Sequence, residues 1–139
     1  MNYLLETNII SELVAKQPNT RVVEWIDTLD PSRIYLSVIT IGELHKGIEK
    51  LPISKHKETL SDWLMTDLLL RFSGRILLLD IEVMLTWGTL TGQLERGGRR
   101  LSAIDSLIAA LALHHNYTLV TRNEDDFQDT GIALINPWK

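Results

Sequence analysis

The chain has 139 residues, no cysteine, and 18 acidic against 14 basic residues, which gives a formal net charge of −4. This length fits one domain, 1–139, with a single core, and the missing cysteine excludes disulfides and cysteine-bound zinc and is typical of a reducing, cytoplasmic compartment. The acidic balance argues against a general coat on nucleic acid, and no apolar run approaches the about 20 residues that a membrane span requires.

The first third of the chain predicts two strands with two helices between them. The apolar run Tyr3–Leu5 is typical of a buried strand, and Thr7 or Asn8 is the expected N-cap of the helix that follows. A further helix is predicted over 21–29, where an Asp-Pro turn ends it. The segment 33–40, rich in β-branched and aromatic residues, predicts the second strand.

Two helices are predicted in the middle of the chain. Thr40 and Glu43 have the spacing of a capping box, in which an acid follows a hydroxyl residue three positions later, so a helix is expected to begin there and to run to about Lys50. Leucines and a tryptophan recur at helical spacing from Ser54 to about Phe72, which predicts a long amphipathic helix.

The rest of the chain continues the alternation of strands and helices. A third strand is expected at 75–80, and Asp80 is the expected cap of a helix that ends at a pair of glycines. Ser102 and Asp105 again have capping-box spacing, at the start of a strongly apolar helix.

The last two strands are predicted at 117–121 and 131–138, with the polar loop 122–127 between them. Strands that alternate with helices indicate crossover connections, hence a mainly parallel sheet with helices on both faces. The predicted fold class is therefore α/β, as a three-layer α/β/α sandwich.

Acidic residues recur where predicted strands end and helices begin. Glu6, Glu43 and Asp105 each lie at such a junction, and the loop 123–126 follows the fourth strand. In a parallel sheet these junctions share one edge. Like charges gathered there are costly unless protons or cations neutralise them, and hard divalent ions prefer oxygen ligands. The sequence therefore predicts a magnesium or manganese site at this edge.

Such a site suits hydrolysis of a phosphodiester bond, because a divalent ion activates water and stabilises the negative charge that develops on the phosphate. Three arginines, Arg96, Arg99 and Arg100, precede Asp105 and are candidates to hold a nucleic-acid backbone without reading its sequence. Arg122, beside the fourth junction, can either pair with a carboxylate or contact a phosphate.

A purely structural interpretation competes with the catalytic one. Glu43 and Asp105 can each be helix caps worth about 1 kcal/mol, and Glu6 alone can be a surface charge. Asp80 has a second acid close by and is interpreted as a plain cap. The recurrence of acids at consecutive junctions favours a functional set over separate caps.

Four segments, in chain order, resemble the motifs of one family. The segments "LLETNIISEL", "SVITIGELHKGI", "GRRLSAIDSLIAALAL" and "LVTRNEDDF" with "TGIALINPW" are similar to the motifs of PIN-domain ribonucleases, and above all to VapC-type toxins of bacterial toxin–antitoxin pairs, including the FitB-like branch. The resemblance implies a PIN-like fold and a magnesium- or manganese-dependent endoribonuclease, usually a homodimer, that acts on structured RNA such as tRNA or ribosomal RNA. It also implies a small antitoxin whose C-terminal arm fills the groove near the carboxylates.

Carried over position by position, the resemblance implies an acidic set of Glu6, Glu43 and Asp105, with Glu6 and Asp105 as metal ligands. The supporting residues that it implies are Thr7, Asn8 and Thr121.

The chain departs from the family's pattern at two of these positions. It has Asn123 where many relatives have aspartate, so Asp126 is the alternative source of the fourth charge, directly or through water. It also has Glu6 in place of aspartate, one methylene longer, in a site where about 1 Å of misplacement can cost roughly a hundredfold in rate. A natural variant with a shifted metal, a natural toxin of low activity and a deliberate substitution all remain open explanations.

Two other functions compete with the nuclease. One is a catalytically impaired PIN domain that acts as an antitoxin-binding module. The other is a phosphoacceptor receiver domain, which also gathers acids at strand ends, but it needs adjacent acids after the first strand and a late lysine, and this chain offers only Glu6 and Arg122 there.

Overall fold

The centre of the molecule is a five-stranded sheet in which every pair of neighbouring strands is parallel. The computed structural model describes residues 1–139. The strands lie in the order β3-β2-β1-β4-β5. Their bounds are β1 Tyr3–Leu5, β2 Ile34–Ser37, β3 Ile76–Leu77, β4 Thr118–Val120 and β5 Leu134–Ile135. The predicted parallel sheet is confirmed, although most strands are shorter than predicted.

Seven helices connect and cover the strands. They are α1 Thr7–Leu13, α2 Thr20–Asp27, α3 Val38–Glu49, α4 Lys55–Asp62, α5 Leu69–Arg71, α6 Ile81–Arg96 and α7 Ala103–His115. A π-helical segment, Trp63–Leu68, joins α4 to α5. The predicted helix 54–72 is thus one continuous helical stretch that contains a wider turn. Short 3-10 helices form at Pro31–Arg33 and Glu124–Phe127.

Helices pack against both faces of the sheet. Neighbouring residues of a strand point to opposite faces, so Leu4 and Leu119 lie in a core with α6 and α7, whereas Leu5 and Val120 lie in a second core with α1, α2 and the π-helical segment. All four side chains are at most 2 % exposed, and burying each is worth about 1.5–3 kcal/mol. This is the predicted α/β/α sandwich.

The start of α1 differs from the prediction. Its N-cap is Glu6, in an extended conformation and without a side-chain capping bond, rather than Thr7 or Asn8. The chain turns into the helix directly after β1. As a result, the Thr7 and Asn8 side chains are not engaged in capping and contact the acids described below.

The start of α3 corrects a second prediction. Ser37 is the N-cap, and its hydroxyl accepts a hydrogen bond from the backbone N of Thr40 at 3.2 Å. The capping box proposed for Thr40 and Glu43 is therefore wrong, because the N-cap lies three residues before Thr40 and Glu43 lies in the second turn of the helix.

The predicted boundaries of α6 and α7 are confirmed. The Asp80 carboxylate accepts from the backbone N of Val83 at 2.9 Å. The Ser102 hydroxyl accepts from the backbone N of Asp105 at 3.2 Å. After α6, Gly98 adopts φ +84°, a left-handed conformation that favours glycine. None of the helices is long and apolar enough to cross a membrane.

Candidate active site

The carboxyl edge of the sheet holds a cleft with three of the predicted acids in or beside it. Its cavity of about 470 Å³ is lined by Glu6, Thr7, Asn8, Ser11, Glu12, Ala15, Glu43, Arg122 and Asn123. Asp105, in the first turn of α7, acts electrostatically on Glu6 from beside this cavity. We call the cavity together with Asp105 the acidic cleft. The sheet order brings the acids together, because β1 lies between β2 and β4.

Glu6 is held in place by β4, which lies next to β1 on the side away from β2. Its backbone N donates to Val120 O at 3.0 Å, which continues the pairing of β1 with β4. The Glu6 side chain is buried, with 9 % exposed. Its Oε2 accepts hydrogen bonds from the Thr121 hydroxyl and from Asn8 Nδ2, the latter at 3.2 Å. Thr121 and Asn8 thus orient the carboxylate, and Oε1 is left free of hydrogen bonds.

Glu43 is oriented by a chain of two hydroxyls. Thr7 Oγ1 donates to Glu43 Oε1 at 2.5 Å and lies 2.9 Å from Thr40 Oγ1. An ionised carboxylate only accepts, and a hydroxyl has one proton to donate. Thr7 therefore uses its one hydroxyl hydrogen for the bond to Glu43, and the fully buried Thr40 donates a hydrogen bond to Thr7. Thr40 is the residue that the sequence reasoning missed, since its partner Thr7 is 33 positions away.

The acids of the cleft have no cationic partner. The ion pairs of the structure involve Asp129, Glu95, Glu82 and Glu124. Burial raises the pKa of Glu6 above its ordinary 4.5; the Thr121 and Asn8 hydrogen bonds oppose the rise, and the charges of Asp105 and Glu43 add to it. The acidic cleft therefore carries repulsion that a bound cation would relieve.

Asp105 is affected in the same way. Burial raises its pKa above 3.8, the Ser102 hydroxyl opposes the rise, and the charges of Asp126 and Glu43 add to it. The carboxylates of Glu6, Glu43, Asp105 and Asp126 thus form one electrostatically linked group. The sequence predicts that these acids share one edge of the sheet, and their role there stays a prediction.

Comparison with known proteins agrees with the geometry. The family model described as PIN domain matches residues 3–133. The chain belongs to the PIN-domain family. It is 39 % identical over 135 residues to toxin FitB of Neisseria gonorrhoeae, covering 97 % of each chain. It is 33 % identical over 136 residues to VapC ribonuclease Y4jK of Sinorhizobium fredii, covering 98 % of this chain and 97 % of that one.

A solved structure, FitAB bound to an IR36 DNA fragment, contains a chain that superimposes on this PIN domain with a TM-score of 0.93. The two chains are 37 % identical, and the match covers 99 % of this chain and 96 % of the other. The predicted family and fold are confirmed. The relatives are named as a toxin and as a ribonuclease, and the solved neighbour is a complex with DNA.

The donor set of this PIN domain fits a hard divalent cation. The acidic cleft offers carboxylate, hydroxyl and amide oxygens, which are the ligands that magnesium and manganese prefer. No group of three or more acidic, histidine or cysteine side chains is placed to hold one ion directly. An ion in the acidic cleft would therefore be held by one or two carboxylates and by water, which is how Mg²⁺ usually binds.

The two candidates for the fourth position of this PIN domain lie close together, since the backbone N of Asp126 donates to Asn123 O at 3.1 Å. Asn123 lines the acidic cleft, and its backbone N donates to Thr121 Oγ1 at 2.9 Å. Asp126 lies in the adjoining 3-10 helix and lines a neighbouring polar cavity of about 250 Å³, which Asn123 also lines. Its charge reaches Asp105. Asp126 therefore adds negative charge near Asp105, and only the uncharged Asn123 lines the acidic cleft itself.

The arginines predicted to bind a nucleic-acid backbone are dispersed. Arg99 pairs with Asp129 at 3.0 Å, Arg100 pairs with Glu95 at 3.5 Å, and Arg96 is exposed at the end of α6. None of these three lines the acidic cleft. Arg122 does line it, and its guanidinium lies 5.1 Å from the centre of the Trp138 ring rather than in an ion pair.

Proposed function

We propose that this PIN domain is a magnesium- or manganese-dependent endoribonuclease toxin of the cytoplasm that cleaves structured RNA, with tRNA and ribosomal RNA as the expected substrates. A cognate antitoxin neutralises it, and the active species is a homodimer that joins the antitoxin in a hetero-oligomer. The observation that carries the proposal is that Glu6 and Glu43 line one cleft at the carboxyl edge of the sheet and that neither they nor Asp105 takes part in an ion pair. The names of the relatives support RNA as the substrate class.

Different residues of the chain have different roles in the proposed hydrolysis. Glu6 and Asp105 would hold the divalent ion, which supplies an activated water and neutralises charge on the phosphate. Glu43 has Oε1 engaged by Thr7 and presents Oε2 as an acceptor for the proton of the attacking water. Arg122, free of any ion pair at the rim, contacts a phosphate of the substrate, and Asn123 and Asp126 complete the polar surroundings.

The second candidate function is a catalytically impaired PIN domain that only binds an antitoxin. The observation that favours it is the burial of Glu6, since a buried carboxylate can lie too deep to reach an ion in the cleft. The raised pKa of Glu6 also disfavours the charged form that would bind the ion. The solved neighbour, FitAB with a DNA fragment, supports an antitoxin partner under either proposal.

The first test is metal-dependent cleavage. The purified chain is expected to cut a folded tRNA in the presence of Mn²⁺ or Mg²⁺, because the ion relieves the repulsion among the carboxylates and supplies the nucleophile. Excess chelator is expected to stop the reaction, and added metal to restore it, as measured by gel analysis of end-labelled RNA. Cleavage that persists in chelator would contradict the proposal, and no cleavage with either metal would favour the binding module.

A second prediction concerns the Thr40 hydroxyl. Thr40→Val keeps the shape of the side chain but removes the donor to Thr7, so Glu43 loses its fixed direction, and kcat is expected to fall between about ten- and a hundredfold with little change in KM. Thr40→Ser restores the donor and is expected to recover most of the rate. A valine variant that keeps the parent's rate would mean that the Thr40 hydroxyl does not orient Glu43, and equal losses in the valine and serine variants would also contradict this role.

A further inference from the structure

A second groove begins where the acidic cleft ends. It is a cavity of about 550 Å³ between α3 and the start of α7, and Glu43 lines both cavities. Lys46 and Lys50 lie on one wall, and the opposite wall is formed by Leu79 and Ile104. We call this cavity the lysine groove. Because the two cavities share a residue, a polymer bound in the acidic cleft can continue into the lysine groove.

Helical spacing aligns the lysines with Glu43. They follow it three and seven positions later, so all three lie on one face of α3, about 4.5 and 10.5 Å along the helix axis from Glu43. Gly42 and Gly47 lie on the same side, and outside the helix backbone no atom lies within 4 Å of where a Cβ would stand at either one. The helix surface between the lysines is therefore open to a ligand.

Both lysines are free to bind an anion. Lys46 and Lys50 are exposed, and neither takes part in any of the ion pairs of the structure, which use Arg99, Arg100, His114 and Lys139. The opposite wall is apolar and partly open to solvent, with Leu79 37 % and Ile104 43 % exposed. Two unpaired cations facing an apolar wall match the phosphates and the bases of a single strand of nucleic acid.

We propose that the lysine groove binds the single-stranded stretch of RNA next to the phosphate that is cleaved, an inference that rests on the proposed function. Lys46 and Lys50 contact backbone phosphates, and Leu79 and Ile104 contact a base. RNA is favoured over an acidic peptide because the lysine groove adjoins the acidic cleft at Glu43, so RNA bound at the reacting phosphate can extend into the groove.

The test measures binding apart from cleavage. In an Asp105→Asn chain, the affinity for fluorescein-labelled single-stranded oligo(U) is measured by anisotropy at a fixed low Mg²⁺ concentration over a series of KCl concentrations. Each phosphate contact to a single strand contributes about 0.7 to the slope of log K against log salt. The double variant Lys46→Gln/Lys50→Gln is expected to lower that slope by up to about 1.4, and each single variant by up to about 0.7.

Lys55→Gln is the matched control, since Lys55 is exposed, has no ion pair and lies at the start of α4 away from both cavities. Its slope is expected to equal that of the parent. With the native Asp105 and a cleavable RNA, the double variant is expected to raise KM and to leave kcat nearly unchanged.

Three results would overturn the inference. The first is a salt slope in the Lys46→Gln/Lys50→Gln variant equal to that of the Lys55→Gln control. The second is no binding of oligo(U) by the Asp105→Asn parent at low salt. The third is a double variant that loses affinity for the antitoxin while its salt slope is unchanged, which would assign the groove to a protein partner. Failure of the proposed function gives a different pattern, namely a changed slope in a chain that never cleaves RNA with added metal.

Discussion

Asparagine in place of Asp105 is expected to lower RNA cleavage by at least about two orders of magnitude, the size of effect that follows loss of one preorganised electrostatic group in other enzymes. Asparagine has the same shape but no charge, so it cannot help to hold a divalent ion. The melting temperature is expected to change by no more than about 2 °C, because the capping bond of α7 uses the backbone N of residue 105, which the variant keeps. Gel-based cleavage assays and thermal denaturation give the two measurements.

Ser102→Ala is the matched control for that variant. It removes the hydroxyl that accepts from the backbone N of Asp105 and is expected to cost about 1 kcal/mol of unfolding free energy while most of the activity remains. The two variants therefore separate the capping role from the catalytic one at the same helix end. A large loss of stability in Asp105→Asn with activity retained would show that Asp105 is only part of the helix cap.

The architecture could be read from the sequence because it depends on patterns that repeat locally. Apolar strands alternating with amphipathic helices allow few arrangements other than a covered parallel sheet. Once the strands are parallel, the residues that follow β1 and β4 have to share an edge, and this is why Glu6 and Thr121 are in contact although 115 positions separate them. The convergence of Glu6 with Asp105 follows from the same argument.

Helix starts were harder to predict because several residues near each start can act as caps. Ser37 and Thr40 both carry hydroxyls before an apolar run, and which of them caps α3 depends on where β2 stops pairing with its neighbours. Pairing is a property of the sheet and not of the local sequence. The same uncertainty makes Thr7 a plausible cap in the sequence, whereas in the structure its hydroxyl donates to Glu43.

Charge placement was the least predictable feature. The segment that contains Arg99 and Arg100 reads as a basic cluster, but Arg99 is bound to Asp129, 30 positions away in a different loop. By contrast, Lys46 and Lys50 are unremarkable in the sequence and become notable only because α3 places them beside the acidic cleft. Whether a cation is free depends on which carboxylates the folded chain brings to it.

Replacing Glu6 with glutamine is expected to abolish cleavage without lowering stability. Glutamine keeps a carbonyl oxygen that can accept from Thr121 and Asn8, but it removes the charge that would hold the ion. The loss of rate is expected to be at least about a hundredfold. At neutral pH the melting temperature of Glu6→Gln is expected to equal or exceed that of the parent, because the folded chain no longer buries a carboxylate among other acids.

The pH dependence of stability tests the same burial. The pKa of Glu6 is raised in the folded state, so ionisation of Glu6 favours the unfolded state. The contribution of protonated Glu6 to the free energy of unfolding is fully present below about pH 4.5, the ordinary pKa of the group. This contribution is lost as the pH rises through the raised pKa. In chelator, the parent is expected to match Glu6→Gln at acidic pH and to fall below it as the pH increases. Added Mn²⁺ at neutral pH is expected to stabilise the parent more than the variant, since the ion binds only the folded carboxylate site. A difference in melting temperature between the parent and Glu6→Gln that does not change with pH would contradict the interpretation of Glu6 as a buried carboxylate repelled by other acids.

Glu6→Asp decides between the two proposed functions. If Glu6 is the working ligand, shortening the side chain withdraws the carboxylate by about one bond length from Thr121 and Asn8, and cleavage is expected to fall by up to about a hundredfold. If the longer side chain instead holds the carboxylate away from the ion, the aspartate variant cleaves RNA faster than the parent, and the parent is the impaired, antitoxin-binding form. The hydroxyl of Thr121 and the amide of Asn8 both donate to Oε2 of Glu6, so the folded site already fits the length of a glutamate side chain. We therefore expect the Glu6→Asp variant to cleave RNA more slowly than the parent.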